Sequence, residues 1–526
     1  MTAEPPTEQP DAAHRHQSSF QRPADWAPPG AALVASAASE TIPAAAELGR
    51  IHLMGIAGSG MSALARLLLG RGFQVSGCEN KESATVADLR ALGAQIAIGH
   101  SVDHLDGIDT FVYTTAINPK HVELVAARER GLLVIRRAAA LGALVAGHRA
   151  VAIAGTHGKT STTSLLTVAA IESGLDPSFA IGANLHEAHT NGHVGGGDAF
   201  IVEADESDGS FLLLAPDIAV ITNVEADHLE NYGDLAGVVR GFEQFVERIR
   251  PGGLLVVCSD DPTAEQLGEY GRARGLRVRR YGMGSRADVR VHDVRASDNA
   301  ISFTVSGLAP QPRAVTVSSL VGGHMALNAS AALVVLHELA ADPAAADAAW
   351  RRFGGVDRRF ELRGTADGVR VYDDYAHHPT EVRAQLEAAQ AVLRADAERY
   401  GKPKGRLIGV FQPGTYSRTQ TFAAEFGQAL AIADAAVVLD IFPAREEPIP
   451  GVSGAVIADR VPLPPAAVQY QPEWSAVPDQ VATLARPGDL VLTMGIGDVH
   501  LLCPLILRAI EQRSGAQPTS DAGSGG

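Results

Sequence analysis

The chain has 526 residues, 46% hydrophobic residues and a formal net charge of −16. At roughly 100–200 residues per domain this length predicts about three globular domains, and the acidic balance argues against a general nucleic-acid or anionic-membrane surface. The three cysteines (Cys78, Cys258 and Cys503) lie far apart without a CxxC pair, so they indicate buried structural thiols and no disulfide framework.

The first 48 residues are rich in Pro, Ala, Glu and Gln and show no sustained periodicity. This composition predicts a disordered extension over residues 1–48. The segment lacks the basic start of a signal peptide. No run in the chain approaches the roughly 18–20 apolar residues of a membrane-spanning helix. We therefore expect a soluble, cytoplasmic protein without a membrane partner.

Ordered structure is predicted to begin with a short buried strand at residues 50–54. The strand enters a glycine turn, Gly55-Ile-Ala-Gly58-Ser-Gly60-Met-Ser62, which is followed by a helix and a second strand ending near Glu79. This is the pattern of a Rossmann-like unit. The spacing is G-x-x-G-x-G, so it indicates a diphosphate at a helix N-terminus more than NAD. A purely structural turn is the alternative. Glu79 is a candidate for a ribose hydroxyl.

A second glycine turn follows the apolar run Val151-Ala-Ile-Ala154 and opens a hydroxyl-rich helix. Backbone N–H groups and the helix dipole then point at one spot, which suits a phosphate. Lys159 adds a cation for the outer phosphates, and the hydroxyl of Thr160 suits Mg²⁺. Only two residues separate the glycines, where four are standard. The predicted nucleotide-binding residues are Gly155, Thr156, His157, Gly158, Lys159, Thr160 and Ser161.

Acidic residues follow two predicted buried strands. Residues 199–202 run into four carboxylates beginning with Glu203, and residues 218–222 run into a segment containing Asp227 and His228. Ligands bind beyond the carboxyl ends of parallel strands, and Mg²⁺ prefers hard oxygen ligands beside phosphates. Both clusters therefore predict a metal site beside the glycine turn. A solvated acidic loop is the alternative for each.

The rest of the chain predicts antiparallel strands around residues 301–305, and then a helix that carries His324 and Asn328 on one face. A third unit begins near residue 359, where strands followed by turns again indicate a doubly wound parallel sheet. No G-x-S-x-G elbow or kinase His-Arg-Asp signature occurs. The acids beside the phosphate-binding turn favour metal-assisted phosphoryl transfer at an interdomain cleft.

Several motifs occur in a fixed order over residues 50–510. They are Gly55-Ile-Ala-Gly-Ser-Gly-Met-Ser62, Ala154-Gly-Thr-His-Gly-Lys-Thr160, Glu203-Ala-Asp-Glu-Ser-Asp-Gly-Ser-Phe211, Thr222-Asn-Val-Glu-Ala-Asp-His228, Arg358-Arg-Phe-Glu361, Asp373-Asp-Tyr-Ala-His-His-Pro-Thr-Glu381, Phe411-Gln-Pro413 and Tyr416-Ser-Arg418. Together they closely resemble the Mur ligases of bacterial cell-wall synthesis.

The resemblance implies an α/β fold of three domains: a Rossmann-like UDP-sugar-binding domain at 49–147, a central P-loop ATP-binding domain at 148–357 and a Rossmann-like amino-acid-binding domain at 358–512. A disordered tail is expected at 513–526. The implied reaction uses ATP and Mg²⁺ to convert a carboxylate into an acyl phosphate, which an amine attacks to form an amide.

The run at 373–381 indicates the member that adds L-alanine to UDP-N-acetylmuramate. Two alternatives are open. One is a ligase that attaches a recycled peptide to the same sugar, and the other is a regulatory protein without turnover. A monomer or weak homodimer without a nucleic-acid partner is expected.

The resemblance also implies roles for individual residues. Lys159 would hold the β- and γ-phosphates. Thr160 and Glu203 would bind one Mg²⁺ and His228 a second, and His324 and Asn328 would bind adenine. Arg359 would reach the transferring phosphate and Asp374 the ribose. Gly58, Ser59, Gly60, Met61, Ser62 and Glu79 would bind the UDP sugar, and His377 and Arg418 the amino acid.

The chain departs from the usual pattern of this family at three places. Gly414 and Thr415 replace a His-Arg pair, Glu79 replaces an Asp, and Met325 replaces an Asn. The first departure leaves the amino-acid selectivity open. None affects the phosphate-binding turn or the acids beside it, so we expect activity to be retained.

Overall fold

A computed structural model describes residues 31–515, apart from 116, 298 and 445. Helices and strands alternate along most of this range. The helices are α1 (Ala31–Ser39), α2 (Ser59–Gly70), α3 (Ala84–Ala91), α4 (Val122–Glu129), α5 (Arg137–Val145), α6 (Lys159–Glu172), α7 (Leu229–Tyr232), α8 (Leu235–Glu247), α9 (Pro262–Ala273), α10 (Gly323–Glu338), α11 (Pro343–Arg351), α12 (Pro379–Tyr400), α13 (Tyr416–Thr421), α14 (Ala423–Leu430), α15 (Ala455–Ala458), α16 (Val477–Leu484) and α17 (Cys503–Gly515).

The strands form three separate sheets. They are β1 (Ile51–Met54), β2 (Val75–Glu79), β3 (Gln95–Ile98), β4 (Thr110–Tyr113), β5 (Leu133–Arg136), β6 (Arg149–Ala154), β7 (Ser178–Leu185), β8 (Thr190–His193), β9 (Ala199–Glu203), β10 (Ile218–Ile221), β11 (Leu254–Cys258), β12 (Arg277–Gly282), β13 (Val289–Ser297), β14 (Ala300–Ser306), β15 (Arg313–Ser318), β16 (Glu361–Ala366), β17 (Val369–Asp374), β18 (Leu407–Phe411), β19 (Ala435–Leu439), β20 (Val468–Gln471) and β21 (Leu490–Met494).

The first sheet has five parallel strands in the order β3-β2-β1-β4-β5. All four residues of β1 are buried, as a central strand covered on both faces requires. The strand order reverses beside β1, so the turn after β1 lies at the switch point where such sheets bind ligands. This confirms the Rossmann-like unit.

The central sheet has ten strands in the order β15-β14-β13-β12-β11-β10-β6-β9-β7-β8. β6 lies between β9 and β10 and is parallel to both, which brings the three carboxyl ends side by side. The strands β13, β14 and β15 pair antiparallel, as their alternating sequence predicted.

The third sheet has six strands in the order β16-β17-β21-β18-β19-β20, and its pairs are parallel except β16 with β17. The three-domain α/β fold is therefore confirmed. No helix in the described part of the chain combines the length and the apolar character needed to cross a bilayer.

The expected disorder of residues 1–48 is wrong for its last part. Residues 31–39 form α1, and Ala37 and Leu48 are 1% and 0% exposed. α1 packs over Gly209, where an added Cβ would lie 3.0 Å from the Cα of Val34. The backbone N–H of Arg136 donates to Glu40 at 3.2 Å, and the Arg136 guanidinium pairs with the same carboxylate. The order of this segment therefore depends on a contact between residues 96 apart in the sequence, which the local periodicity did not indicate.

Both chain ends lie partly outside the described residues. The disorder predicted for residues 1–30 and 516–526 concerns segments that the structure does not describe. At the C-terminus α17 continues to Gly515, three residues beyond the boundary expected at 512. The predicted domain boundaries at 147 and 357 stay predictions.

We predict that Glu40→Ala lowers the midpoint of thermal unfolding, because the Arg136 side chain, only 5% exposed, loses charge-assisted bonds. Such a bond contributes roughly 1.5–3 kcal/mol. Glu82→Ala is the matched control, since Glu82 pairs with Arg90 at 2.9 Å but both side chains are exposed. Differential scanning calorimetry measures both. Equal shifts in the two variants would contradict a structural role for the Glu40 contact.

Candidate active site

The turn between β6 and α6 is shaped by two glycines with positive φ, Gly155 at 131° and Gly158 at 82°. A Cβ at Gly155 would lie 2.0 Å from Thr222 Oγ1, and a Cβ at Gly158 would lie 2.6 Å from Asn328 Oδ1. Both positions therefore require glycine for close packing as well as for backbone conformation. The N-terminus of α6 consequently opens toward the cleft.

The Lys159 side chain forms hydrogen bonds back to the turn that precedes it. Its Nζ donates to the carbonyl oxygens of Gly155 at 2.6 Å and Thr156 at 3.1 Å, and to Glu206 at 2.9 Å. Burial lowers the pKa of Lys159, but the attraction of Glu206 and neighbouring acids outweighs burial and raises it. The ammonium is therefore charged and stands at the phosphate-binding turn.

Glu203 lies at the carboxyl end of β9, next to the turn. Its Oε1 accepts a hydrogen bond from Thr160 Oγ1 at 3.0 Å, and its Oε2 accepts one from the Gly182 N–H at 2.9 Å. A hydroxyl and a carboxylate oxygen thus stand together beside Lys159. These are the hard donors that suit Mg²⁺.

His228 occupies a left-handed backbone conformation with φ of 52° at the start of α7. Its Nε2 lies 3.6 Å from Asp227 and 3.9 Å from Glu206, and its Nδ1 lies 3.6 Å from Glu230. Burial lowers the pKa of His228, but these carboxylates outweigh burial and raise it to about 9. In this arrangement the carboxylates favour the protonated ring. The metal role of His228 stays a prediction.

The glycine turn after β1 carries the residues expected at the UDP sugar. Glu79 accepts hydrogen bonds from the N–H groups of Ala57 at 3.1 Å and Asn80 at 2.9 Å, so it supports the turn. A Cβ at Gly60 would lie 2.8 Å from Arg137 Nη1. A guanidinium therefore stands directly against the N-terminus of α2.

The third domain reaches the turn through Arg359, whose Nη2 donates to Thr160 Oγ1 at 3.3 Å. His377 lies at the same cleft, and burial lowers its pKa to about 4, so its ring is neutral. Arg418 donates to Asp227 Oδ1 at 2.6 Å, and both side chains are largely buried. Arg418, which is predicted to contact the amino acid, is therefore already in an ion pair with Asp227.

Asp374, expected at the ribose, is fully buried. Its two oxygens accept hydrogen bonds from the N–H groups of Phe360 and Ala376, each at 2.7 Å, and burial raises its pKa to about 7. In this structure Asp374 therefore fixes the backbone at Phe360, next to Arg359. Its contact with a ribose stays a prediction.

His324 and Asn328, expected at adenine, lie one turn apart on α10. Burial lowers the pKa of His324 to about 4, and its Nε2 has no hydrogen-bond partner among the described residues. Asn328 Nδ2 contacts Met325 Sδ at 3.6 Å. A neutral ring with a free polar atom beside the turn fits a nucleobase.

One cleft of about 920 Å³ collects residues of all three domains. The predicted site residues that line it are Gly58, Ser59, Gly60, Met61, Glu79, Gly158, Lys159, Thr160, Glu203, His228, Arg359 and His377. The predicted residues that lie outside its lining are Ser62, Gly155, Thr156, His157, Ser161, His324, Asn328, Asp374 and Arg418.

No individual role was predicted for three polar residues of the site, one of which, Glu206, belongs to the acidic cluster predicted after residues 199–202. Arg137 lines the cleft directly after β5, Glu206 pairs with Lys159, and Glu381 receives the Nδ1–H of His157 at 3.1 Å. The arginine pair at the end of β5 was a usable signal for Arg137, since that end meets the same rim. The Glu381 contact joins the turn to α12 across 224 residues and leaves no local signal.

Three family descriptions match the chain in order. They are "Mur ligase family, catalytic domain" over residues 50–149, "Mur ligase middle domain" over 153–336 and "Mur ligase, glutamate ligase domain" over 358–497. Together these matches cover more than half of the chain. The chain belongs to the Mur ligase family.

Relatives within the family are similar over nearly their whole length. UDP-N-acetylmuramate–L-alanine ligase of Saccharopolyspora erythraea is 51% identical over 477 residues, covering 89% of this chain and 95% of the relative. The protein of that name from Kineococcus radiotolerans is 49% identical over 471 residues, covering 89% and 98%. The crystal structure of UDP-N-acetylmuramate-alanine ligase from Thermotoga maritima has a TM-score of 0.71 at 25% identity, covering 89% and 100%.

The contact between the turn and α12 should depend on pH. His157 lies between Glu381 and Glu225, which outweigh the effect of burial and raise its pKa to about 10. A raised pKa means that the protonated ring stabilises this interdomain contact fully below pH 6.5. The stabilisation is then lost as the pH rises through about 10.

We predict that the radius of gyration from small-angle X-ray scattering increases between pH 7 and pH 10.5 as this contact weakens. His157→Asn is the control, because it removes the titrating group and should remove that part of the change. A wild-type radius that is constant over this range would contradict the prediction.

Proposed function

We propose that this Mur ligase joins L-alanine to the carboxylate of UDP-N-acetylmuramate, using ATP and releasing ADP and phosphate, as a step of peptidoglycan precursor synthesis. The names of relatives that are about 50% identical over almost their full length support the two substrates. We also propose that it acts in the cytoplasm as a monomer or weak homodimer.

The observation that carries the proposal is the single cleft shared by the glycine turn of β1, the P-loop of β6 and the residues Arg359 and His377. A reaction of three substrates needs each bound by a separate element and all facing one point. The segments 49–147, 148–357 and 358–512 are the proposed units that bind the UDP sugar, ATP and the amino acid.

The UDP sugar is proposed to bind at the N-terminus of α2. The N–H groups of Ser59, Gly60 and Met61 are offered to the diphosphate, while the Gly58 N–H donates to the Gly55 carbonyl oxygen at 3.1 Å and closes the turn. Arg137 adds a cation. Glu79 keeps this turn in place through Ala57. The sugar's carboxylate then extends along the cleft toward Lys159.

ATP is proposed to bind at the P-loop with its β- and γ-phosphates at the N-terminus of α6. Lys159 exchanges Glu206 and the two carbonyl oxygens for phosphate oxygens. His324 and Asn328 receive the adenine. The donor set of Thr160 and Glu203 fits Mg²⁺, which when bound neutralises charge on the phosphates. His228 lines the same cleft, and its contact with a second Mg²⁺ ion is part of the proposal.

The first chemical step transfers the γ-phosphoryl group. A carboxylate oxygen of the sugar forms a bond to the γ-phosphorus, the bond from that phosphorus to the bridging oxygen breaks, and ADP leaves. Lys159 and Arg359 stabilise the charge on the transferring group. The product is an acyl phosphate, whose phosphate is a far better leaving group than the original oxygen.

The second step forms the amide. The neutral alanine amine attacks the acyl carbon, the bond from that carbon to the phosphate oxygen breaks, and inorganic phosphate leaves with the proton that the nitrogen gives up. The neutral ring of His377 is placed to accept a hydrogen bond from the amine. Among the described residues, one of the five N–H groups of Arg418 donates to Asp227, and the remaining groups are proposed to bind the alanine carboxylate.

The competing function is attachment of a recycled peptide to the same sugar. The structure of a murein peptide ligase from Psychrobacter arcticus shares the fold, with a TM-score of 0.63 at 23% identity over 88% of this chain and 99% of that chain.

We predict that ADP release with UDP-N-acetylmuramate, ATP and Mg²⁺ depends on L-alanine in a panel of single amino acids. Turnover with a tripeptide but not with free alanine would favour the competing function. If no amine increases ADP release, a regulator without turnover is favoured.

Two substitutions should separate the two nucleotide sites. Lys159→Ala should abolish turnover but leave the dissociation constant for UDP-N-acetylmuramate unchanged, because Lys159 serves ATP. Arg137→Ala should weaken UDP-sugar binding by roughly 10–100-fold, since a charge-assisted contact contributes roughly 1.5–3 kcal/mol. Isothermal titration calorimetry measures both, and Arg128→Ala on the exposed side of α4 is the control. Loss of sugar binding in Lys159→Ala would contradict the assignment.

A further inference from the structure

A second polar cluster lies in the first domain and consists of side chains to which the proposed reaction assigns no role. It is built around Glu123 at the start of α4, whose side chain is fully buried. The other members come from β1, β2 and the segment after β3. They are His52, Cys78, His100 and His104.

Each oxygen of Glu123 receives two hydrogen bonds. Oε1 accepts from His104 Nδ1 at 2.8 Å and from the Ser101 N–H at 3.0 Å. Oε2 accepts from His100 Nδ1 at 3.1 Å and from Cys78 Sγ at 3.2 Å. Burial raises the pKa of Glu123, but these donors outweigh it and the net shift is downward, so the buried group is a carboxylate.

His52 is the member that hydrogen bonding does not account for. Its side chain is almost completely buried, and its Nδ1 is 3.0 Å from Ser76 Oγ. Its Nε2 has no hydrogen-bond partner among the residues that the structure describes. A buried polar atom without a partner is costly. Metal-binding histidines have this arrangement, with one nitrogen oriented by a hydrogen bond and the other left for the ion.

The geometry of this group matches a small divalent site. One donor atom from each of His52, His104 and Glu123 lies within 4.8 Å of the others. Tetrahedral Zn²⁺ with bonds of about 2.0–2.1 Å requires ligand atoms about 3.3 Å apart. The separations of the three donor atoms therefore exceed those of a closed shell by at most about 1.5 Å. The His104 side chain is 22% exposed, which gives an ion access from solvent.

We propose that His52, His104 and Glu123 bind one Zn²⁺ ion, with water as the fourth ligand. Two imidazoles and one carboxylate suit zinc and not Mg²⁺. Cys78 and His100 hold the second oxygen of Glu123 and so orient the carboxylate. The ion ties β1 to α4 and to the turn at residues 102–105, and it stabilises the first domain independently of the proposed reaction.

The test uses the full-length, untagged protein, stripped of metal with a chelator and kept in excess Mg²⁺ to occupy the oxygen donors of the cleft. Titration with ZnCl₂, followed by elemental analysis, should give one Zn²⁺ per chain. Co²⁺ in its place should give the visible absorption of a four-coordinate ion. Zn²⁺ should also raise the midpoint of thermal unfolding.

His104→Ala should lose the bound ion and the zinc-dependent rise in the midpoint, while its metal-free midpoint reports whether it folds. His186→Ala is the matched control, because His186 forms a similar but more open group with Asp357 and Glu361 and should leave the stoichiometry unchanged. Cys78→Ser should weaken binding by at most about 10–100-fold, as for a residue outside the ligand shell.

Three results would overturn the proposal. They are wild-type protein without stoichiometric zinc, equal zinc binding by His104→Ala, and a thiolate-to-Co²⁺ charge-transfer band that Cys78→Ser abolishes. The last result would assign the ion to Cys78, His100 and Glu123 instead.

Discussion

The cleft depends on a close approach of backbone that only glycine allows. Thr222 at the end of β10 and Asn328 on α10 press against Gly155 and Gly158 so tightly that any Cβ would collide with them. Thr222 Oγ1 also donates to the carbonyl oxygen of His157 at 2.6 Å. The P-loop is therefore fixed from two sides, and the N-terminus of α6 is held open in the direction from which a phosphate arrives.

Charges in and next to the cleft neutralise one another in this structure. Lys159 is paired with Glu206, Arg418 with Asp227, and protonated His228 lies among three carboxylates. In the proposed function, a nucleotide therefore competes with Glu206 for Lys159. Asp227 belongs to the central domain and Arg418 to the third. An amino-acid carboxylate that binds Arg418 would therefore change a contact between these two domains. Ligand binding and domain closure are expected to be coupled in this way.

Local sequence pattern was sufficient for much of this arrangement. Strand, glycine turn and helix in succession predicted both phosphate-binding turns, and the rule on carboxyl ends of parallel strands placed Glu203 beside Thr160. Contacts between distant residues were not predictable in the same way. Glu40 with Arg136, His157 with Glu381 and Arg418 with Asp227 are 96, 224 and 191 residues apart. The raised pKa of His228 has a related origin, since it results from carboxylates that the fold gathers around the ring.

The central claim is that the sugar's carboxylate oxygen is transferred to phosphate through an acyl phosphate in this cleft. The direct measurement uses UDP-N-acetylmuramate with oxygen-18 in both carboxylate oxygens, together with ATP, Mg²⁺ and L-alanine, and analyses the released phosphate by mass spectrometry. The account predicts one labelled oxygen in inorganic phosphate for each amide formed. Amide formation with unlabelled phosphate would contradict it.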